Sequence, residues 1–346
     1  MNRLITMNAA EKIRRIDSSL ACLGGHETAC RLCPRECGVN RAKGEKGFCE
    51  SGPLAVVSHA LLHYGEEPVL SGRLESGEGV RGRERRRAGS GTIFFAGCNL
   101  KCLFCQNYQL SWLGQGNEAD DDRLAGMMLE LEAAGALNIN LVSPTHLLLP
   151  ILRALRLAYR GGLAIPLVYN SNGYEKAETV ALLDGIVDVY LPDLKYFAAE
   201  ISAKYSGAPD YFTFAGPAIK EMYMQRPALR LNDQEIAREG LIVRHLVLPG
   251  RTRDSMALLS WLAEELSPAV PLSLMSQYHP CFRAPQELRR PLRPEEYREV
   301  FQRAEELGFE TLFVQPGGFS PTEHLVPDFD LAEPFSWKGK RRVGPA

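Results

Sequence analysis

The sequence predicts an α/β protein: a parallel sheet closed into a barrel or part of one, preceded by a small N-terminal Cys-rich metal-binding module. Three observations predict it. Short apolar, β-branched runs alternate with helical patterns, as they do in repeated βα units. Polar residues gather just beyond the ends of those runs. Nine cysteines, far more than chance requires, fall mostly into two tight groups.

Taken in order, residues 1–20 read as a short amphipathic helix, and residues 22–52 as a Gly- and Cys-rich loop segment with too few apolar residues to fold without a metal. Residues 1–70 are therefore expected to form the appended module, and residues 71–90 a polar linker. The linker carries Arg81, Arg83, Arg85, Arg86 and Arg87. With no aromatic residues interleaved for stacking, the run reads as a solvated segment and not as a nucleic-acid surface.

Residues 91–320 hold the barrel, and residues 321–346 a C-terminal tail. The strand candidates are Thr92–Ala96, Asn138–Val142, Pro166–Asn170, Val187–Leu191, Leu241–Leu248, Pro271–Met275 and Thr311–Val314. Helical patterns fall at Asp121–Ala134, Leu147–Arg160, Ser255–Leu266 and Pro294–Leu307, the last opening with proline followed by acids. No repeat of short fixed period is present.

Composition excludes some classes and names no partner. The 346 residues carry 40 Lys+Arg against 42 Asp+Glu, a net charge of −2, with 45% hydrophobic residues. No run reaches the roughly 18 apolar residues of a membrane helix. Glu11, Lys12, Arg14, Arg15 and Asp17 stand where a signal peptide would be apolar, so the expected location is the cytoplasm.

Candidate site residues recur past the strand ends: Ser143-Pro144-Thr145-His146, Asn170-Ser171-Asn172-Gly173, Asp193-Leu194-Lys195 and Gln277-Tyr278-His279. Singly, such residues serve as helix caps and turns. Repeated at the carboxyl edge of a parallel sheet, they mark the rim where such folds place their sites.

The cysteines sharpen this reading. An odd count without an export signal argues against a disulfide framework. Cys30, Cys33, Cys37 and Cys49 offer four thiolates, enough for a closed tetrahedral zinc site or an iron–sulfur cluster, and spacing does not choose between them. Cys98, Cys102 and Cys105 are one short of a closed site. Three thiolates imply a metal centre with an open position, which is a catalytic arrangement. Cys22 and Cys281 stand alone; Cys281 could be a distant fourth ligand, but a lone cysteine is more often a small buried hydrophobe. His59 and His63 lie four apart and would share a helix face, with no third partner evident.

The CxxxCxxC spacing after the first barrel strand, with Phe104 before the last cysteine, resembles the signature of the radical S-adenosylmethionine (SAM) superfamily. The segments CRLCPRECGVNR, HYGEEPVLSG, GSGTIFFAGCNLKCLFCQN, NLVSPTH and RHLVLPG are similar to those of pyruvate formate-lyase activating-enzyme-like proteins, over most of residues 30–280. The resemblance implies a partial barrel of about six parallel strands, open at one side. It implies a 4Fe–4S cluster on Cys98, Cys102 and Cys105, with SAM chelating the fourth iron. Reductive cleavage of SAM would give a 5′-deoxyadenosyl radical that abstracts hydrogen from a protein or peptide substrate. The electron would come from a donor such as flavodoxin or ferredoxin.

Position by position, Phe104 would contact the adenine, and Lys195, beside Asp193, would pair with the SAM carboxylate. His279 would approach the ribose. The superfamily's Gly-Gly-Glu-Pro segment is replaced by the stretch containing Ser143 and Thr145, and Asn170 and Ser171 complete the expected cofactor rim. Gly65-Glu66-Glu67-Pro68 looks like that segment but precedes the first barrel strand, which places it on the substrate side if it has a role. The activating enzymes for pyruvate formate-lyase itself lack a four-cysteine module, a departure that weakens any claim to the same partner. A small-molecule substrate is the alternative within the same chemistry. A non-enzymatic zinc module that binds nucleic acid through the arginine run is the alternative outside it.

Overall fold

The computed structural model describes residues 7–72, 89–314 and 326–335; the arginine run at Arg81–Arg87 lies outside them, as does most of the expected linker and tail. In chain order the elements are α1 (Ala9–Leu23), β1 (Ala55–His63), α2 (Pro68–Ser71), β2 (Ser90–Phe95), α3 (Tyr108–Ser111), β3 (Asn117–Ala119), α4 (Asp121–Ala133), β4 (Ile139–Val142), α5 (Leu148–Arg160), β5 (Leu167–Asn170) and α6 (Ala177–Ala181). There follow β6 (Val189–Tyr190), α7 (Ala199–Ser206), α8 (Tyr211–Gln225), β7 (Arg230–Leu231), β8 (Ala237–Leu241), β9 (Val243–Leu246), α9 (Thr252–Glu265), β10 (Leu272–Met275), α10 (Pro294–Glu306) and β11 (Leu312–Phe313).

Two ladders share one strand. The larger sheet runs β3-β1-β2-β4-β5-β6-β8-β7 and the smaller β11-β10-β9. Ile242 alone separates β8 from β9, so one chain segment pairs with β6 through its first half and with β10 through its second. A parallel bridge between Asp193 and Arg244 ties the two halves. The parallel series β2-β4-β5-β6-β8/β9-β10-β11 is thus consistent with an open, partial barrel. Each of the seven strand candidates forms a strand. The antiparallel additions were not anticipated: β1 pairs along β2, β3 pairs along β1, and β7 pairs with β8. His59 and His63 accordingly lie on a strand, not on a helix face.

Alternation along the strands divides the barrel wall. Ile93, Phe95, Ile139, Leu141, Leu167, Tyr169, Val243 and Leu274 face the helices in the main core. Their neighbours Val168, Val189 and Leu191 face inward and pack against Val69 and Leu70 of α2. The short helix α2 therefore plugs the barrel floor. Asn138 Nδ2 donates to the Leu70 carbonyl (2.8 Å) and Ser90 Oγ to Asn138 Oδ1 (2.7 Å), so the plug is fixed by polar contacts at the amino ends of β2 and β4.

The amino-terminal residues are packed as part of the same body. Ile16, Leu23, Cys30 and Leu32 belong to the main core, and α1 lies along α5. Helix α1 is capped by Asn8, whose side chain accepts from the Glu11 amide. It is anchored by Lys12, whose Nζ donates to Asp188 Oδ2 (2.5 Å), Tyr159 OH (3.1 Å) and the Ile186 carbonyl (3.1 Å). At the other end of the chain, Phe329 and Phe335 pack on Phe94, His59 and His63, and Gln109 holds this segment through the Phe329 amide (2.9 Å). Among the described residues no helix is long and apolar enough to cross a membrane.

Burial alone would drive the Lys12 ammonium to lose its proton, and Asp188 opposes this. Asp188→Ala is expected to leave a buried cation unpaired and to cost about 3–5 kcal/mol. Urea unfolding should show the midpoint falling at unchanged slope; an unchanged midpoint would mean that α1 does not depend on this pair.

Candidate active site

The site is built around the loop that leaves β2. Gly97 has φ +81°, and a β-carbon there would lie 2.5 Å from the Cys49 carbonyl oxygen, so only glycine lets the chain turn so close to the amino-terminal loop. Immediately after it, Cys98 and Cys102 are buried and Cys105 is half-buried. Donors point at their sulfurs. Cys98 Sγ accepts from the amides of Leu100 (3.3 Å) and Lys101 (3.5 Å) and from Asn172 Nδ2 (3.4 Å). Ser111 Oγ lies 3.2 Å from Cys105 Sγ and donates to it. Burial pushes the Cys105 thiol up to about 12 and raises that of Cys98 as well.

A cation stands beside these thiols. Lys195 Nζ donates to Asp193 Oδ2 at 2.6 Å on the loop after β6. Burial opposes the charge on Lys195, but Asp193 outweighs it, helped by the neighbouring Cys102 and Cys105, and holds the ammonium above the ordinary lysine range. The loop after β5 closes the third side. Gly173 has φ +77°, and a β-carbon there would lie 2.3 Å from the Asp193 carbonyl, so glycine brings the β5 and β6 loops together. The Tyr211 hydroxyl pins the junction, within 2.9 Å of the carbonyls of Asn172 and Asp193 and accepting from the Lys195 amide (3.0 Å).

Below this mouth lies a charged layer. Arg244 of β9 pairs with Glu66 and Glu67, Glu66 Oε1 accepts from Asn140 Nδ2 (2.9 Å), and His63 Nδ1 lies 3.2 Å from the same oxygen. Burial would raise Glu66, yet Arg244 and then His63 hold its carboxyl far below the usual range. The Gly65-Glu66-Glu67-Pro68 segment thus reaches into the barrel from below.

The other expected cofactor residues divide. Asn170 is half-buried at the end of β5, where its carbonyl accepts from the Ser143 amide (2.8 Å), and Ser143 has φ +59°. Thr145 and Ser171 do not line an open rim: both are buried and hydrogen-bonded to the carboxyl of Glu175, which Tyr169 also meets at 3.0 Å. Phe104 is buried among Tyr196, Tyr205 and Tyr278, so its ring serves to hold the cysteine loop in place. His279 is half-buried, and its Nδ1 has no partner. Cys281 donates to the carbonyls of Phe104 and Cys105 (3.4 Å each), backing the same loop.

The sequence reading passed over Asn172 and Ser111 as partners of the cysteines. For Asn172 the available signal was its place in the rim cluster; for Ser111 there was none, since six residues separate it from Cys105.

The donor set fits an iron–sulfur cluster. Three cysteine sulfurs stand on one loop, with N–H and O–H donors aimed at Cys98 and Cys105. A polynuclear cluster takes each thiolate at a different iron, and N–H donors to the sulfurs tune its potential.

The chain is 30% identical over 295 residues to MJ0674, an uncharacterised protein of Methanocaldococcus jannaschii; the match covers 82% of this chain and 76% of that one. It belongs to the family of that archaeal protein. No family model matches the chain. Solved structures with some similarity include AdoMet-bound anSMEcpe (TM-score 0.43, 14% identity, 63% of this chain and 61% of that one). Streptococcus suis SuiB bound to S-adenosylmethionine gives the same TM-score and identity, over 63% of this chain and 48% of that one. The chain spans less than two thirds of each of these two structures.

Burial sets His146 and His245 at about 4, against about 6.5 in an unfolded chain. Between those values the unfolded chain binds more protons, so folding stability is expected to fall as pH drops from about 6.5 towards 4. Thermal unfolding across this window should show a loss steep enough for about two extra protons near pH 5. A flat profile would contradict neutral burial of the pair.

Proposed function

We propose that this protein is a cytoplasmic radical SAM enzyme of the activating-enzyme-like kind, acting on a protein or peptide. One observation carries the reading: three thiols on a single strand-end loop lie beside the Lys195–Asp193 ion pair at the carboxyl mouth of a partial barrel. Cys98, Cys102 and Cys105 would hold a 4Fe–4S cluster with one open position. A cluster held there would supply the electron for reductive cleavage of SAM, and so the radical chemistry that abstracts hydrogen from the substrate.

The chain's own residues orient and shield. Lys195, kept charged by Asp193, pairs with the SAM carboxylate as a compact ammonium. Asn172 and the amides of Leu100 and Lys101 stabilise negative charge on Cys98. Asn170, Ser143 and His279 stand on the same rim for the rest of the cofactor, while Thr145 and Ser171 act through Glu175 to stiffen the loops. The charged layer of Glu66, Glu67 and Arg244 forms the polar floor that a substrate meets. A low-potential carrier such as flavodoxin or ferredoxin provides the electron.

Anaerobically purified protein, reduced in the presence of SAM, should release 5′-deoxyadenosine. Cys102→Ala should abolish that release. Lys195→Ala should retain its iron and weaken SAM binding by about 10- to 100-fold, the worth of one charge-assisted hydrogen bond. Absence of both iron and 5′-deoxyadenosine would overturn the assignment. Stimulation of release by the low-molecular-weight fraction of a cell extract, and not by its protein fraction, would replace the protein substrate with a small molecule.

A further inference from the structure

We propose that Cys30, Cys33, Cys37 and Cys49 hold a second iron–sulfur cluster that passes electrons to the first through the loop Gly97-Cys98-Asn99. The electron-transfer half rests on the function proposed above; the metal site does not.

The four thiols line one small cavity together with Arg35, Arg41, Phe48 and Asn99. Backbone hydrogen bonds shape the loop that carries them. The Cys30 amide donates to the Val39 carbonyl (3.0 Å) and the Gly38 amide to that of Cys30 (2.9 Å), closing a tight loop around Cys33 and Cys37. The Phe48 amide donates to Cys37 Sγ at 3.4 Å. A β-carbon on Gly47 would lie 2.8 Å from that same sulfur, so the chain passes as near to Cys37 as glycine allows.

A buried charge points to what is bound. Arg41 is only 5% exposed, yet its partners are the Cys49 sulfur (Nη2, 3.3 Å) and the His146 carbonyl (Nη1), while its Nε has no partner. Among the described residues no carboxylate pairs with it. A buried guanidinium without a counter-charge is costly. Four thiolates on a metal centre supply the missing negative charge. Four thiolates suit one zinc ion or an iron–sulfur cluster alike; the direct step from this cavity through Asn99 to Cys98 favours the redox-active centre.

The same residues touch both centres. Asn99 lines the four-cysteine cavity and follows Cys98 directly, an α-carbon separation of about 3.8 Å. Asn172 Nδ2 donates to Asn99 Oδ1 (2.8 Å) and to Cys98 Sγ (3.4 Å). Arg35 Nε donates to the Asn99 carbonyl (2.9 Å), and Gly97 lies against the Cys49 carbonyl. Arg41 adds a second link through His146, whose Nε2 meets the Ala96 carbonyl at 3.0 Å.

The exposed Cys37 side faces solvent, where a one-electron carrier can dock. That carrier is oxidised by one electron, the second cluster takes it up and hands it on unchanged in number, and the first cluster is reduced; no proton or bond is involved.

The test uses the full chain reconstituted anaerobically with iron and sulfide. Wild type should hold about eight irons and Cys37→Ala or Cys102→Ala about four each. With dithionite, Cys37→Ala should still release 5′-deoxyadenosine. With reduced flavodoxin, stopped-flow bleaching of its remaining cluster should be at least about tenfold slower than in wild type. Wild-type iron content in Cys37→Ala, one zinc per chain that Cys37→Ala loses, or an unchanged reduction rate would overturn the proposal. Should the variant misfold by circular dichroism, electron paramagnetic resonance of reduced wild type decides: two neighbouring paramagnets broaden each other, and a single unbroadened signal overturns it. About four irons in wild type, all retained in Cys102→Ala and with no 5′-deoxyadenosine, would instead mean that the function itself is misassigned.

Discussion

The contact between Gly97 and the Cys49 carbonyl is the constraint on which the rest of the site depends. It exists because residue 97 lacks a β-carbon and takes a left-handed conformation, so strand β2 can end directly against the amino-terminal loop. Everything that follows in the chain is placed by that turn. Cys98 receives its amide donors, Asn99 reaches the second group of cysteines, and Cys102 and Cys105 come round to face Lys195. A second glycine, Gly173, repeats the device on the opposite side by letting the β5 loop meet the β6 loop.

The barrel was legible because parallel strands buried on both faces leave short apolar runs, and seven such runs stood clear in the sequence. The strands β1, β3 and β7 were not. Strand β1 lies among cysteines and histidines, and its alternation of buried Ala55 and Val57 with half-buried Val56 and Ser58 is too brief to override the loop-like composition around it. Strands β3 and β7 have only three and two residues and take their form from their neighbours. How closely the amino-terminal residues pack on the barrel was not legible either, since composition carries no information about Lys12 meeting Asp188.

At the site, ligand spacing was legible and side-chain direction was not. CxxxCxxC after a strand and Asp-x-Lys on a later loop both placed their residues at one mouth. Thr145 and Ser171 carried the same local signature as Ser143 and Asn170, yet a buried carboxyl, Glu175, claims their hydroxyls. Nothing in the neighbouring sequence announces that Glu175 points inward to meet hydroxyls of Thr145, Tyr169 and Ser171. Phe104 packs with Tyr196, Tyr205 and Tyr278, neighbours that only the fold assembles.

The helix α2 that fills the barrel floor has a consequence for the order of events. With Leu70 and Val69 packed against Val168, Val189 and Leu191, and Glu66, Glu67 and Arg244 pairing above them, the described residues fill the barrel from below. Under the function proposed above, SAM and substrate would both come in from the carboxyl side of the strands, and the one that lies deeper would have to bind first and leave last.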